Sequence, residues 1–552
     1  MKTPQLYWNS LRVLVAFVLA IGIFLRFYHL DQKIYWVDEV HTSLRVAGYR
    51  KSNFYEQLPT GEPLTVAQLH EFQTLSPERG WGDTLNALAE NAEHAPIYYL
   101  LTRLWMELFG NSITVTRSVA AILSLLAFPA LYFLSLELFS APMVGWIALS
   151  LVAVSPLHLL YAQEARQYSL WTVVTLVSGL ALLRSLRLKT RGSWAIYAGT
   201  VILGFYSHLI SGLIFFGHGL YVGFREQWKW TKSFKSYLMA SGIGCATLIP
   251  WIVVYFQNNS RLGGWLGRDT SLEALVKRWT LNLTSVFFDL HSVYSQRFFD
   301  VELGEDLTPF AWGNFWVYSV IPLILFVGYA LWVTFRKTPK FVGWFLLTSI
   351  AANGLFLMLY DVISGGQRSG IARYLLPSYL ALQLAVAYLF ASRLRLDTGR
   401  NLQRRFWQFT YVVLLGAGIV SCAVSASAET WWHKYSCYYD VEVAQLVNQG
   451  QNPLLIGSHD RLSRLIALSY KLNPDVRFLL FTDSDRPDIT EPSSSLFLFR
   501  PSNKLYNNLK SDPRYTLTPI HPRGHIWTVE PVGTPEEESG VNSSQIGDEP
   551  RS

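Results

Sequence analysis

The chain has 552 residues, 51% hydrophobic and 15% aromatic, with only 15% charged, where a soluble domain usually carries about a quarter. That composition excludes an ordinary soluble protein and fits lipid. The formal charge of +7 does not point to nucleic acid, because the basic residues fall between apolar runs instead of forming one stripe with interleaved aromatics.

The first apolar run, Leu11 to Leu25, follows a short basic start, and no small-residue cleavage site precedes Phe27, Tyr28 and His29. This predicts a retained spanning helix, not a removed signal peptide. Crossing roughly 30 Å of hydrocarbon takes about 20 apolar residues. On that rule helices are expected near 11–28, 114–136, 143–161, 165–184, 194–207, 209–224, 236–256, 312–335, 341–360, 373–391 and 407–426, about eleven in all. Segments 194–207 and 209–224 are short for a span. The Lys/Arg-rich connections at 184–191, 225–235, 336–340 and 393–405 predict the cytoplasmic side. The N-terminus is then cytoplasmic in a plasma (inner) membrane. Outer loop 29–113, the turns at 162–164 and around His208, outer loop 257–311, loop 361–372 and everything after 427 fall outside. Within the first loop, "HAPIYYLLTRLWMELFG" (94–110) is too short to span and is interrupted by Arg103 and Glu107, which predicts an interfacial helix.

After residue 427 the runs "PLLIGS", "VRFLLFT", "SLFLFRP" and "HIWTVEP" alternate with helical stretches. A small extracytoplasmic α/β domain is expected over 427–533, and a disordered tail over 534–552. No glycine-rich phosphate loop follows these strands. The aromatic approach "ETWWHKYSCYYD" is expected to rest at the membrane interface. Cys245, Cys422 and Cys437 suggest neither a disulfide framework nor a metal pattern. The fold class is therefore a polytopic α-helical membrane protein, with residues 1–426 as the transmembrane module and a small C-terminal soluble α/β domain.

Charge at a membrane edge is costly, so a convergent set of charges invites a functional reading. "IYWVDEVHTSL" (34–44) places Asp38 and Glu39 just beyond the first span. "YAQEARQYSL" adds Glu164 and Arg166, and "SGGQRSGIARYLLP" adds Arg368 and Arg373, while His94 and His208 lie at the same predicted depth. Arginine suits phosphate because its planar fork donates parallel hydrogen bonds and keeps its charge. A carboxylate beside Tyr35 and Trp36 is expected to have a raised pKa, which improves it as a base. Tyr161, Glu164 and Tyr168 share a helical face if the helix runs through, and Arg166 then points about 200° away from Glu164. Either the segment unwinds or only one of the two faces the cavity. His94 reads equally as a helix-start residue, and His208 as a helix cap; no zinc spacing is present.

The Asp-Glu pair, the 94–110 segment, "SITVTRSVAAILSLLAFPALYFLSLELF", "SPLHLLYAQEARQYSL" and "ARYLLPSYLAL" together resemble the polyprenyl-phosphate-sugar-dependent glycosyltransferases of GT-C architecture. Within them they are similar to protein O-mannosyltransferases and the bacterial aminoarabinose transferase of lipid A. The resemblance covers roughly residues 1–400. It implies transfer of a sugar, with inversion, from a polyprenyl-phosphate donor to a glycan, lipid or protein acceptor of the cell envelope at the outer face. By position it implies Asp38 as general base with Glu39 beside it, and Arg373, with Arg166 and Arg368, at the donor phosphate. Glu164, Tyr161, Tyr168, His94 and His208 would line the substrate cavity. No cofactor and no metal are expected, and the partners are the lipid donor, the bilayer and the acceptor, not nucleic acid. The alternatives are a transporter or flippase of lipid-linked sugars, which predicts repeated halves and helices broken at mid-bilayer, and an oligosaccharide ligase or polymerase with a longer donor.

Overall fold

The structure, a computed structural model, describes residues 3–258, 264–267, 269–289, 318–395, 401–483, 485, 489 and 495–532. Most of the predicted outer loop 257–311, residues 312–317 of one predicted helix, and the predicted tail 534–552 lie outside the described residues. Each of the eleven apolar segments is mostly helical where it is described, with breaks at Val154–Ser155 and over 165–167. Among the described residues eight helices are long and apolar enough to cross a membrane, and the pair Pro142–Ala153 and Pro156–Ala162, bent by 63°, makes a ninth. The helices Arg191–Ser207 and Ser211–Arg225 are shorter, at 17 and 15 residues. Large apolar side chains such as Val13, Phe17, Met239, Phe256, Leu325 and Phe409 point outward. Outward apolar faces suit lipid as solvent, since helices satisfy their own backbone polar groups there.

The 63° bend has a local cause. Pro156 at the start of the second piece has no N–H to give and disfavours helix at Ser155. Buried Arg26 covers the carbonyls at the break, donating from Nη1 to Ala153 O (2.7 Å) and from Nη2 to Val152 O (3.1 Å). Gly22 allows this approach, because a Cβ there would lie 2.4 Å from Ala153 O.

A second break matters more. The chain leaves helix at Ala162 and re-enters it at Tyr168, so the segment between does unwind. Gln163, Glu164, Arg166 and Gln167 are all buried in this turn, and Glu164 and Arg166 do not share the fate of opposite helix faces.

The soluble part holds a six-stranded sheet in the order β1-β3-β2-β4-β6-β5. Strands β2 (Pro453–Ser458), β3 (Arg477–Phe481), β4 (Ser495–Phe499), β5 (Tyr515–His521) and β6 (Ile526–Pro531) come from the C-terminal segment. Strand β1 (Pro63–Thr65) comes from the loop that follows the first span and pairs antiparallel with β3. Beneath the sheet, Tyr35, Trp36, Val40 and Leu44 share one apolar core with Val443, Leu465 and Phe478. The helix Val37–Val46 is thereby wedged between the membrane helices and the sheet. In the 94–110 segment the helix Ile97–Phe109 buries Tyr98, Tyr99, Thr102 and Met106 while exposing Leu101, Leu104, Leu108 and Phe109. Its Arg103 reaches inward to Val46 O, Thr84 Oγ1 and Arg79 O.

Candidate functional site

Asp38 and Glu39 both stand in the first turn of Val37–Val46. Consecutive helical residues point about 100° apart, and the two carboxylates enter different surroundings. Glu39 is fully buried and fully engaged. Arg117 donates to it from Nε and Nη2 (2.7 and 2.8 Å), Lys434 from Nζ (2.9 Å) and Ala165 from its backbone N–H (2.9 Å). Arg117 also donates to the carbonyls of Leu30, Lys33 and Ile34, which ties the end of the first span to the helix 113–139. Burial pushes the Glu39 carboxyl up, but Arg117 and Lys434 outweigh it and hold it at about 2. A raised pKa was the expectation for the pair, and cationic neighbours absent from the local sequence reverse it.

Asp38 keeps its side chain 26% exposed and meets two arginines. Arg373 Nη1 lies 3.3 Å from Oδ2, and Arg166 Nη2 lies 3.8 Å from the same oxygen. Burial acts on Asp38 most strongly and raises its pKa, yet Arg166 and Arg373 together bring it below its ordinary value. Arg166 also donates to Asp38 O and to the Tyr99 hydroxyl. The Arg373 guanidinium sits within 5.3–5.6 Å of the ring centroids of Trp36, Tyr168, Tyr374 and Tyr435. Nothing accepts a hydrogen bond from its Nε or Nη1. Buried donors are nearly always paired, so this one calls for an explanation.

Glu164 lies beside the Glu39 knot. His433 Nε2 is 3.2 Å and Lys434 Nζ 3.7 Å from its Oε2, but neither carboxyl oxygen accepts a hydrogen bond, and the Tyr161 hydroxyl nearby is unpaired too. Burial dominates here and lifts the Glu164 carboxyl to about 7, against the pull of Lys434. Tyr161 and Tyr168 pack edge to face at 5.2 Å. His433, Lys434 and Tyr435 arrive on a strap that follows the last span. Trp431 and Trp432 pin the strap by donating from their indoles to Asp289 Oδ2, both at 2.8 Å. Tyr435 takes φ +44° and ψ −118°, a conformation costly for a residue with a Cβ. Trp431 and Trp432 of this aromatic approach are buried within the protein.

Of the other three predicted residues Arg368 stands apart, while His208, 6.0 Å from Tyr168 and 6.1 Å from Tyr374, and His94, beside Tyr99, border the cluster. Arg368 pairs with Asp361 at 3.5 Å, not with Asp38. His208 caps the helix 191–207, stacks on Trp171 at 4.6 Å and accepts the Ile210 N–H at Nδ1. His94 neighbours Tyr99 at 6.1 Å, and burial holds its imidazole well below its ordinary pKa. Arg117, Lys434 and Tyr435 are absent from the sequence-based set. Taken together, four buried cations (Arg117, Arg166, Arg373 and Lys434) face three acids (Asp38, Glu39 and Glu164), of which Glu164 is held weakly ionised. The cluster carries an excess of positive charge, suited to an anion. Among the described residues no group of three or more His, Cys, Asp or Glu side chains is placed to hold a metal ion.

Residues 93–254 match the family described as dolichyl-phosphate-mannose-protein mannosyltransferase. The chain is a multi-pass membrane protein similar to the glycosyltransferases of GT-C architecture. No curated protein matches it in sequence. Among solved structures it is similar to ArnT from Cupriavidus metallidurans bound to undecaprenyl phosphate, at 13% identity over 95% of this chain and 97% of that one, with a TM-score of 0.45. The apo state of the same protein gives 12%, 96%, 98% and 0.48. The Archaeoglobus fulgidus oligosaccharyltransferase tethered to an acceptor peptide gives 14%, 85%, 64% and 0.44. The matched family segment contains Arg117, Glu164 and Arg166 but neither Asp38 nor Arg373.

Proposed function

We propose that the protein transfers a sugar from a polyprenyl-phosphate donor to a cell-envelope acceptor at the extracytoplasmic face, by a single inverting displacement. The observation that carries this reading is Arg373: a buried guanidinium whose Nε and Nη1 make no hydrogen bond, with Nη1 3.3 Å from the partly exposed carboxylate of Asp38. The donor phosphate takes hydrogen bonds from Nε and Nη1, with Arg166 as the second cation. The acceptor hydroxyl attacks the anomeric carbon, the bond from that carbon to the phosphate oxygen breaks, and polyprenyl phosphate leaves with the electron pair. The proton of the attacking hydroxyl passes to Asp38. Negative charge grows on the departing oxygen, where Arg373 stabilises it, and such electrostatic preorganisation is usually the largest catalytic contribution.

The ion pair explains how a carboxylate of low pKa serves as base. Without donor, Asp38 is held ionised by Arg166 and Arg373. Once a phosphate shares those guanidinium charges, less positive charge acts on Asp38, its pKa rises, and it takes a proton more readily. Glu39 then acts through the fold by fixing the helix that carries Asp38. Glu164 and Tyr161, with unpaired polar atoms, are suited to hydroxyls of the sugar, and the two arginines supply the countercharge without a metal.

The test uses membranes containing the full chain and compares lipid-monophosphate with lipid-diphosphate sugars. Transfer from the monophosphate is expected, together with its loss in Arg373→Ala. Transfer only from the diphosphate, or an Arg373→Ala variant with normal donor affinity, contradicts the reading. Mass spectrometry of envelope glycans after gene deletion would name donor and acceptor.

A further inference from the structure

We propose that the π-helical turn Ile350–Leu355 positions Arg373, with Asn353 as the residue that does so. The proposal rests on the reading of Arg373 as the phosphate ligand. The helix spanning 340–364 is α-helical at both ends and π-helical over these six residues. Such turns are rare and recur at functional sites.

Asn353 is buried in the turn. Its Nδ2 donates to the carbonyl of Tyr374 at 3.0 Å, and its Oδ1 accepts from Ser378 Oγ at 3.2 Å. Ser378 Oγ also lies 3.4 and 3.3 Å from the carbonyls of Ser349 and Ile350, at the start of the π turn. Gly354 permits the approach, since a Cβ there would lie 2.8 Å from Ser378 Oγ. The bond to Tyr374 holds the short segment that presents Arg373, and the Ser378 contacts hold the start of the helix that follows it.

That segment needs outside support. Arg373 stands in the 3-10 turn Ala372–Leu375, which runs into Pro377. Pro377 has no N–H, so it cannot close a 3-10 bond to the Tyr374 carbonyl. Asn353 supplies a donor there instead. The Nε and Nη1 of Arg373 make no hydrogen bond and Nη1 faces Asp38 at 3.3 Å, so its aim is set by the backbone of the turn, by that ion pair and by the four rings around it. A restraint on the adjacent peptide is therefore a restraint on where the guanidinium points.

The experiment measures the affinity of the purified full-length protein for undecaprenyl phosphate in detergent, together with thermal stability, for wild type, Asn353→Ala, Arg373→Ala and the double variant. Asn353→Ala is expected to weaken binding by about 10-fold, the upper end of what one lost hydrogen bond produces. In the Arg373→Ala background the same substitution is expected to have no further effect, because the two residues act as one unit. Unchanged affinity in Asn353→Ala, or losses that simply multiply in the double variant, overturns the proposal whatever happens to stability. If Arg373→Ala itself binds normally, it is the phosphate assignment that fails, and that outcome is distinct from a failure of Asn353 alone.

Discussion

Asp38 and Glu39 are neighbours in the chain, yet one helical step separates two kinds of environment. Around Glu39 every partner is in place: a bidentate arginine, a lysine and a backbone amide. Around Asp38 the arginines come near without completing their hydrogen bonds, and part of the carboxylate stays open. A buried charge whose hydrogen bonds are complete fixes geometry and has little left to offer a substrate. A buried charge with unused donors beside it is a cost to the fold unless something binds there. The same carboxylate chemistry thus serves as a rivet at one position and as a reactive group at the next.

The sharpest way to break this contrast is to neutralise each acid in turn. Asp38→Asn is expected to lower transfer by about 10²–10⁴-fold while leaving insertion and thermal stability near wild type; turnover assays and thermal unfolding check both. For Glu39→Ala the prediction is inverted: Arg117 and Lys434 are left buried without their partner, costing about 3–5 kcal/mol of stability, so loss of folded yield precedes any change in chemistry. Arg117→Lys keeps the charge but loses the planar fork. A smaller loss of about 1.5–3 kcal/mol is expected from the missing charge-assisted bonds, read as a lowered unfolding temperature in detergent.

The last effect, read as a slope with pH and not as a loss of activity or fold, concerns Glu164. Its carboxyl is raised from 4.5 to about 7 in the folded protein, so the folded state binds the proton more tightly than the unfolded chain. The resulting stability is fully present below pH 4.5 and is lost as pH rises toward 7. Glu164→Gln is expected to remove that slope, leaving a flatter profile of unfolding temperature between pH 4.5 and 7. An unaltered slope would show that Glu164 is ionised like an ordinary surface acid.

Much of this architecture is legible in the sequence, because apolar length and the spacing of basic connections report helices directly. Four strands also show as short β-rich runs. Strand β1 does not, since three residues in a polar loop become a strand only by pairing with β3; β5 is masked by Pro519. Within the site, Asp38, Glu164, Arg166 and Arg373 stand out as charges bordering apolar runs. Arg117 and Lys434 carry the same signal, but a lone charge inside a span or an aromatic stretch gives no hint of its partner, which lies 78 residues away for Arg117 and 395 for Lys434. For that reason desolvation is readable around the acidic pair, and the opposing cations that lower both carboxyls are not.

The most direct test of the central claim, that Asp38 and Arg373 bracket one sugar phosphate, is a structure of the protein determined with a polyprenyl phosphate bound. The phosphate is expected against Nε and Nη1 of Arg373 at about 2.7–2.9 Å, the range for charge-assisted bonds, with Asp38 freed on the opposite side. A phosphate bound elsewhere, with Arg373 still facing Asp38 and its two donors still unpaired, would contradict the account.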